Sequence, residues 1–389
     1  MRIALACGLS LLAVAAVAAP SLTDRANAEV YNTATGAGTV AAAQNTRENF
    51  RARINENVVT VMAGSPSGTD LAVIQDLAEV LDDGDNLRVL PMVGKGPEQN
   101  IKDVMFLRGV DMGITQANLL KHFDRNGDLG PNLKGRITYI AKLFNEEMHV
   151  LVRSEVNDIK ELNGKPVNFG AQGSGTEITG RLIFAALGVD AQEVNLTDSD
   201  AIEKVKTGEI AATILVTGKP APAFANLKET TGLKLLSVPY AKSLEDEYYP
   251  AMLTHEDYPS LVPEGARVDT LSVCAVLVSF NWPTDSIRYK KIAKLVDRFF
   301  ARFDDFQVAP RHPKWKEVNF AATLEGWRRS PLAQTWIDQA ATRTTDTASR
   351  SNFDAFLAEA STARGPISDA ERADLFRAFL EWNRGRKQN

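Results

Sequence analysis

The tripeptide Ser-Gly-Thr occurs twice in one setting, as Ser67-Gly68-Thr69 and Ser174-Gly175-Thr176, and no other feature constrains the fold as tightly. Each copy follows a β-like run, Val58 to Ala63 in the first case and Pro166 to Phe169 in the second. Each also opens a stretch of apolar residues at helical spacing. These are Leu71, Ile74, Leu77, Ala78 and Leu81 after the first, and Ile178, Leu182, Ile183, Ala186 and Leu187 after the second. A small, hydroxyl-rich turn between a strand and a helix leaves backbone N–H groups free, and the helix dipole favours an anion there. Ser and Thr are also ordinary helix caps, so one copy alone would say little. The repetition says more.

The pattern continues in parallel. Past the first turn it reads strand 87–93, helix 97–110 and strand 111–116; past the second, strand 193–197, helix 199–208 and strand 210–217. Two halves with one order of elements imply two similar α/β lobes, with the turns facing each other across a cleft that holds one small anionic ligand. Extended runs at 149–152 and 271–278 cross between the lobes and make a hinge. The expected layout is a signal peptide at 1–28, a flexible leader at 29–57, a first lobe at 58–147 plus 271–305, a second lobe at 148–270, and a C-terminal helical extension at 306–389. The helix at 288–303 should pack back on the first lobe. The tryptophans Trp315, Trp327, Trp336 and Trp382 should be buried against the lobes, and Ser368 with Glu371 makes a capping box.

A net charge of -5 with no basic stripe argues against nucleic acid as a partner. It leaves room for an anionic ligand held by local amide dipoles. Arg2, the apolar run Ile3 to Ala19 and the site Ala26-Asn27-Ala28 read as a secretory signal, which implies export to the periplasm. Removing that segment takes Cys7 with it and leaves Cys274, in an apolar run, as a core residue with no disulfide.

Chemistry is harder to find. His122, His149, His255 and His312 stand singly, without metal-ligand spacing, and read as surface or strand residues. Neither Ser67 nor Ser174 lies in G-x-S-x-G. Gly173-Ser174-Gly175-Thr176 lacks the lysine of a phosphate loop. Asp124, Asn126 and Asp128 alternate as in a calcium loop, but the required Gly and Glu are missing. The reading therefore assigns no catalytic residue, no metal and no cofactor.

The run Ala63-Gly64-Ser65-Pro66-Ser67-Gly68-Thr69, with Asn100 and with Asp111 to Gln116, resembles the first lobe of the TAXI family. These are extracytoplasmic solute receptors of TRAP (tripartite ATP-independent periplasmic) transporters. Val167 to Thr176, Thr217 to Pro222 and Tyr258-Pro259 extend the resemblance. It implies a two-lobed periplasmic binding protein fold, type II-like, whose monomer binds a small carboxylate or an amino acid such as glutamate. It also implies delivery of that solute to TRAP membrane permease subunits. The implied binding residues are Ser65, Gly68, Thr69, Gln116, Gln172, Ser174, Gly175 and Thr176, with Ser67 joining them in the turn. Lys219 is added on its own chemistry, as a cation after a strand end that could pair with a ligand carboxylate.

The chain departs from the family at Asp70 and Leu71, where an aromatic pair is common. An acid at Asp70 either caps the helix or faces an ammonium on the ligand. Two other readings stay open: an exported enzyme with Glu177 or Asp70 as base, and a receptor that reports to a sensor.

Overall fold

The computed structural model describes residues 47–52, 55–66, 68–84, 86–227 and 230–340. The expected signal peptide, the leader up to residue 46 and at 53–54, Ser67, the Ser368 and Glu371 capping box and Trp382 lie outside them. The chain divides into two units, 1–56 and 57–389. Of the first, residues 47–52 and 55–56 are helical; the architecture below belongs to the second.

The first half runs β1 (Val58–Ala63), α1 (Thr69–Leu81), β2 (Arg88–Val93), α2 (Pro97–Phe106), β3 (Met112–Gln116) and α3 (Ala117–Asn126). The long strand β4 (Ile137–Arg153) then crosses to the second half, which repeats the order. It runs β5 (Pro166–Asn168), α4 (Gly175–Leu187), β6 (Gln192–Val194), α5 (Asp198–Thr207) and β7 (Ala212–Thr217). Short strands β8 (Leu233–Leu235) and β9 (Tyr249–Thr254) precede the return strand β10 (Arg267–Phe280) and the helix α6 (Ile287–Ala301).

The sheet order is β2-β1-β3-β10-β4-β7-β5-β6. In the first half β1 lies between β2 and β3, parallel to both; in the second β5 lies between β6 and β7, parallel to both. Each triplet is bordered by one antiparallel strand, β10 beside β3 and β4 beside β7. Those two strands pair with each other from Ile137 opposite Phe280 to Glu147 opposite Ser272. The result is two α/β lobes built alike and joined by a pair of extended crossings, as the doubled motif anticipates.

Helices cover both faces of each half-sheet, and the cores follow. On one face of the first lobe Val59, Val61, Leu77 and Ile114 pack with Ile292, Leu295, Val296, Phe299 and Phe300 of α6. On the other face are Ile101, Leu119, Phe123 and Val276, together with Cys274, whose thiol burial pushes up to about 11. In the second lobe Val167, Ile183, Phe184 and Ile214 form one layer, and Leu151, Ala201, Val205 and Tyr258 the other.

One sequence expectation changes here. The crossing strand begins at Ile137, well before the run at 149–152, which alone stands out in the sequence because Lys142, Asn145, Glu146 and Glu147 interrupt the apolar pattern upstream of it. The region from 306, in its described part to residue 340, packs into the first-lobe core, where its aromatic residues are expected to lie. Phe306 and Trp315 are fully buried there, and Trp315 Nε1 donates to Asp76 Oδ2 at 2.8 Å. Large aromatic area with a satisfied N–H is the reason this segment folds inward. It holds a 3-10 turn at Pro313–Glu317, and residues 331–340 are helical.

Candidate functional site

The two turns are closed by similar bonds and capped differently. Gly68 N–H donates to Ser65 O, and Ser174 N–H to Ala171 O, both at 3.0 Å. Gly68 is the cap of α1 and offers no side-chain oxygen. Ser174 is the cap of α4, and its Oγ accepts Glu177 N–H at 3.1 Å. The shared tripeptide is thus used one residue out of step, with glycine at the cap in the first copy and serine in the second. In the first copy the Thr69 N–H finds Thr217 Oγ1 in the other half instead, at 3.2 Å.

Both turns end on the same strand, β7. Thr69 Oγ1 donates to Gly218 O at 2.9 Å, and Val216 N–H donates to Thr176 Oγ1 at 3.0 Å. The loop before α2 lies directly on the second turn: Gly96 has φ 142°, and a Cβ there would sit 1.9 Å from Gly173 O. Only glycine permits that approach. Nearby, Asn118 Nδ2 donates to Thr179 Oγ1 at 2.9 Å and to Tyr248 OH at 3.1 Å. Arg125 pairs with Glu247. The lobes are shut on each other.

Between them lies a cavity of about 60 Å³. Gly64, Ser65, Gly68 and Asp70 line it from the first turn, and Gly175 and Thr176 from the second. Pro97, Asn100, the end of β3 at Ile114 to Gln116, Glu146, and the end of β7 at Leu215 to Thr217 complete the wall. One water needs roughly 10–15 Å³ of such space, so the cavity suits a handful of waters or a small solute.

Of the residues expected from sequence, Ser65, Gly68, Gln116, Gly175 and Thr176 are brought together on this wall. Thr69 and Ser174 sit beside it and hold the turns in place. Gln172 is exposed and off the wall. Lys219 is elsewhere too. Its Nζ donates to Met252 O and to Asp257 Oδ2, both at 2.9 Å. The cation expected to meet a ligand carboxylate is therefore engaged by Asp257, which the turn after β9 carries to it.

The charge on the wall is acidic. Among the described residues no lysine or arginine lines the cavity, whereas Asp70 and Glu146 do. Burial pushes the Asp70 carboxyl up to about 7, against a partly compensating N–H from Gly64. Burial, and then the charge of Asp70, hold Glu146 well above the usual carboxylate range. Its one neutral partner is Gln116, whose Nε2 donates to Glu146 Oε2 at 2.7 Å while its Oε1 accepts from Thr179 Oγ1 at 2.8 Å. Three wall residues also have a buried oxygen with no partner: Asp70 Oδ1, Asn100 Oδ1 and Thr115 Oγ1.

Glu146 is the residue that sequence reasoning missed. The available signal was an acidic pair, Glu146-Glu147, inside a run with apolar residues on both sides. The other acid considered as a base, Glu177, is tied to its own turn: it accepts Gly173 N–H at 2.5 Å and pairs with Arg181 at 3.0 Å. His149 is a strand residue at full burial, with Nδ1 3.2 Å from Leu215 O and Nε2 2.6 Å from Tyr258 OH. Burial lowers its pKa to about 4, so it is neutral in the fold. No group of three His, Cys, Asp or Glu that could hold a metal occurs among the described residues.

Twin 2-1-3 half-sheets, crossing strands and a cavity at the lobe junction define the two-lobed α/β fold of periplasmic binding proteins. Residues 61–297, more than half of the chain, match the NMT1-like family, and the chain belongs to it. Among solved structures it is similar to the periplasmic binding protein BugD, at 15% identity and a TM-score of 0.43, over 67% of this chain and 85% of that one. It is also similar to a TctC solute binding protein from Polaromonas, at 15% identity and a TM-score of 0.36, over 63% and 88% of the two chains. The periplasmic VFT2 domain of Bordetella pertussis BvgS gives 14% identity and a TM-score of 0.35, over 65% and 97%. Shared architecture at this level carries no ligand from one protein to another.

Proposed function

We propose that this chain is an extracytoplasmic solute receptor, which binds a small solute between its lobes, closes over it and presents it to a membrane permease. The TAXI resemblance makes that permease one of the TRAP kind, and export through residues 1–28 to the periplasm belongs to the same reading. The observation that carries the proposal is the convergence of two turns from different halves, Ser65 and Gly68 with Gly175 and Thr176, on one cavity. The N–H groups of Gly175 and Thr176 open α4, where no intrahelical acceptor exists, so they suit the carboxylate end of a solute. Closure follows if the solute prefers the shut arrangement, since a ligand shifts an equilibrium only by its differential affinity.

Gly175→Val tests this. A Cβ at Gly175 would come within 3.0 Å of Gln116 Nε2 and Oε1, so valine narrows the cavity at its centre. Wild-type protein at about 100 times Kd should gain roughly 2.7 kcal/mol of stability, read as a raised melt across a panel of amino acids and carboxylates. The variant should fold and lose that shift. An unchanged shift would place the ligand elsewhere.

A further inference from the structure

We infer that the segment 306–340 latches the two lobes shut, with Lys314 as the positioning residue that acts through Glu147 on the end of β7. The latch goes beyond the receptor reading and does not depend on which solute the cavity takes. It is made entirely of the chain's own groups.

Glu147 stands at the pivot. There β4 ends its pairing with β10, opposite Ser272, and begins its pairing with β7, opposite Thr217. Its buried carboxyl is shared between the two halves. Oε1 accepts from Lys314 Nζ at 2.6 Å, and Lys314 belongs to the turn Pro313–Glu317, whose Trp315 is set in the first-lobe core. Oε2 accepts the backbone N–H of Lys219, just past the end of β7 in the second lobe, at 2.9 Å. The same turn holds β4 a second time, since Asn145 N–H donates to Glu317 Oε2 at 2.9 Å. Beyond Lys219 the bonds continue to the cleft. Thr69 Oγ1 donates to Gly218 O at 2.9 Å, and Thr69 N–H donates to Thr217 Oγ1 at 3.2 Å. Thr69 in turn lies between Gly68 and Asp70 of the cavity wall. Gly218 has no room to spare: a Cβ there would sit 2.9 Å from the Thr69 side chain and 3.2 Å from Lys314 Cε. The first turn and the lysine stem therefore close on the end of β7 together. Lysine is almost never buried to 2% exposure without a specific partner, and in such surroundings a satisfied charged network is stronger than one in water. The other interlobe ion pair, Arg125 with Glu247, is open to solvent and contributes little. An open–shut balance of a few kcal/mol is within reach of the buried link.

The test reads lobe separation in the purified, solute-free protein from the distance between two spin labels. Arg108→Cys, ahead of β3, and Lys165→Cys, ahead of β5, carry the labels; both positions are exposed, Cys274 is buried, and Cys7→Ser removes the remaining thiol. The otherwise wild-type protein should show chiefly one distance, that of the shut arrangement. Glu147→Met with Lys314→Met replaces the buried pair by apolar groups, so the melt should hold while a second distance grows several-fold in population. A pair that serves only the fold would leave the distances alone. Gly218→Ala removes no charge and should produce the second distance by forcing Thr69 and Lys314 away from the end of β7. If either variant folds and keeps the wild-type distribution, or if the solute-free wild type is already mostly open, the latch is wrong. Should one variant fail to fold, the other decides alone. The receptor reading stands in every case, because solute binding tests it separately.

Discussion

Glu146 and Glu147 are consecutive on β4, so their side chains leave opposite faces of the sheet, and both are buried. Glu147 is answered from within the chain. Lys314 Nζ reaches its Oε1 at 2.6 Å, and the backbone N–H of Lys219 reaches its Oε2 at 2.9 Å. Among the described residues the Glu146 carboxyl has a hydrogen bond only from the neutral amide of Gln116; a second acid, Asp70, shares its cavity, and Lys314 acts on it through its field without pairing. The protein thus supplies the counter-charge on one face of the strand and withholds it on the other. A buried carboxyl without a cation lowers stability. Departures of that kind tend to collect at functional sites, where an incoming group makes up what the fold lacks.

The comparison breaks most visibly at Lys314. Lys314→Met should strand Glu147 without its cation and destabilise the fold by about 3–5 kcal/mol, the usual result of removing one member of a buried pair. Chemical denaturation checks it, and a loss under about 1 kcal/mol would mean that Glu147 does not need its partner.

Glu146→Gln should do the reverse, with a pH signature. The folded-state pKa of Glu146 is raised by burial, so the folded protein holds its proton more tightly than the unfolded chain does. The wild-type protein therefore loses stability as pH rises above the ordinary glutamate range. The variant should match it near pH 4 and exceed it by a widening margin as pH rises to 7.5. His149 contributes in the opposite sense: its stabilisation is present above its ordinary titration and lost as pH falls toward about 4. Because His149 is common to both proteins, the difference between their pH–stability curves reports Glu146 together with Asp70, whose carboxyl shares its cavity and raises its pKa. Parallel curves would sink the claim that this carboxyl is left uncompensated.

The smallest effect belongs to Lys219. Its pair with Asp257 is only partly buried, so Lys219→Met should cost less than about 1 kcal/mol and leave solute affinity within about twofold. A large loss of affinity would restore the ligand role that its position after a strand first suggested.

Much of the fold was legible because it is written locally. The strand–turn–helix order of each half follows from apolar spacing within a dozen or so residues, and so does the amphipathic face of Ile292, Leu295, Val296, Phe299 and Phe300. The site was legible in part, through the repeated Ser-Gly-Thr turn. Glu146 and the partner of Lys219 were not. Each depends on a contact between residues far apart in the chain, and no periodicity records such a contact.

Composition and pattern alone therefore settled that there are two like halves, each with a glycine-bearing bend opening a helix. Whether those bends meet, which residue caps each one, and what charge they enclose was settled by the packing of the lobes. Register on β4 turns Glu146 to the cavity and Glu147 to Lys314, and a shift of one residue would exchange them. Local spacing carries secondary structure. The sign of the charge at a cleft is a property of what the finished fold sets face to face.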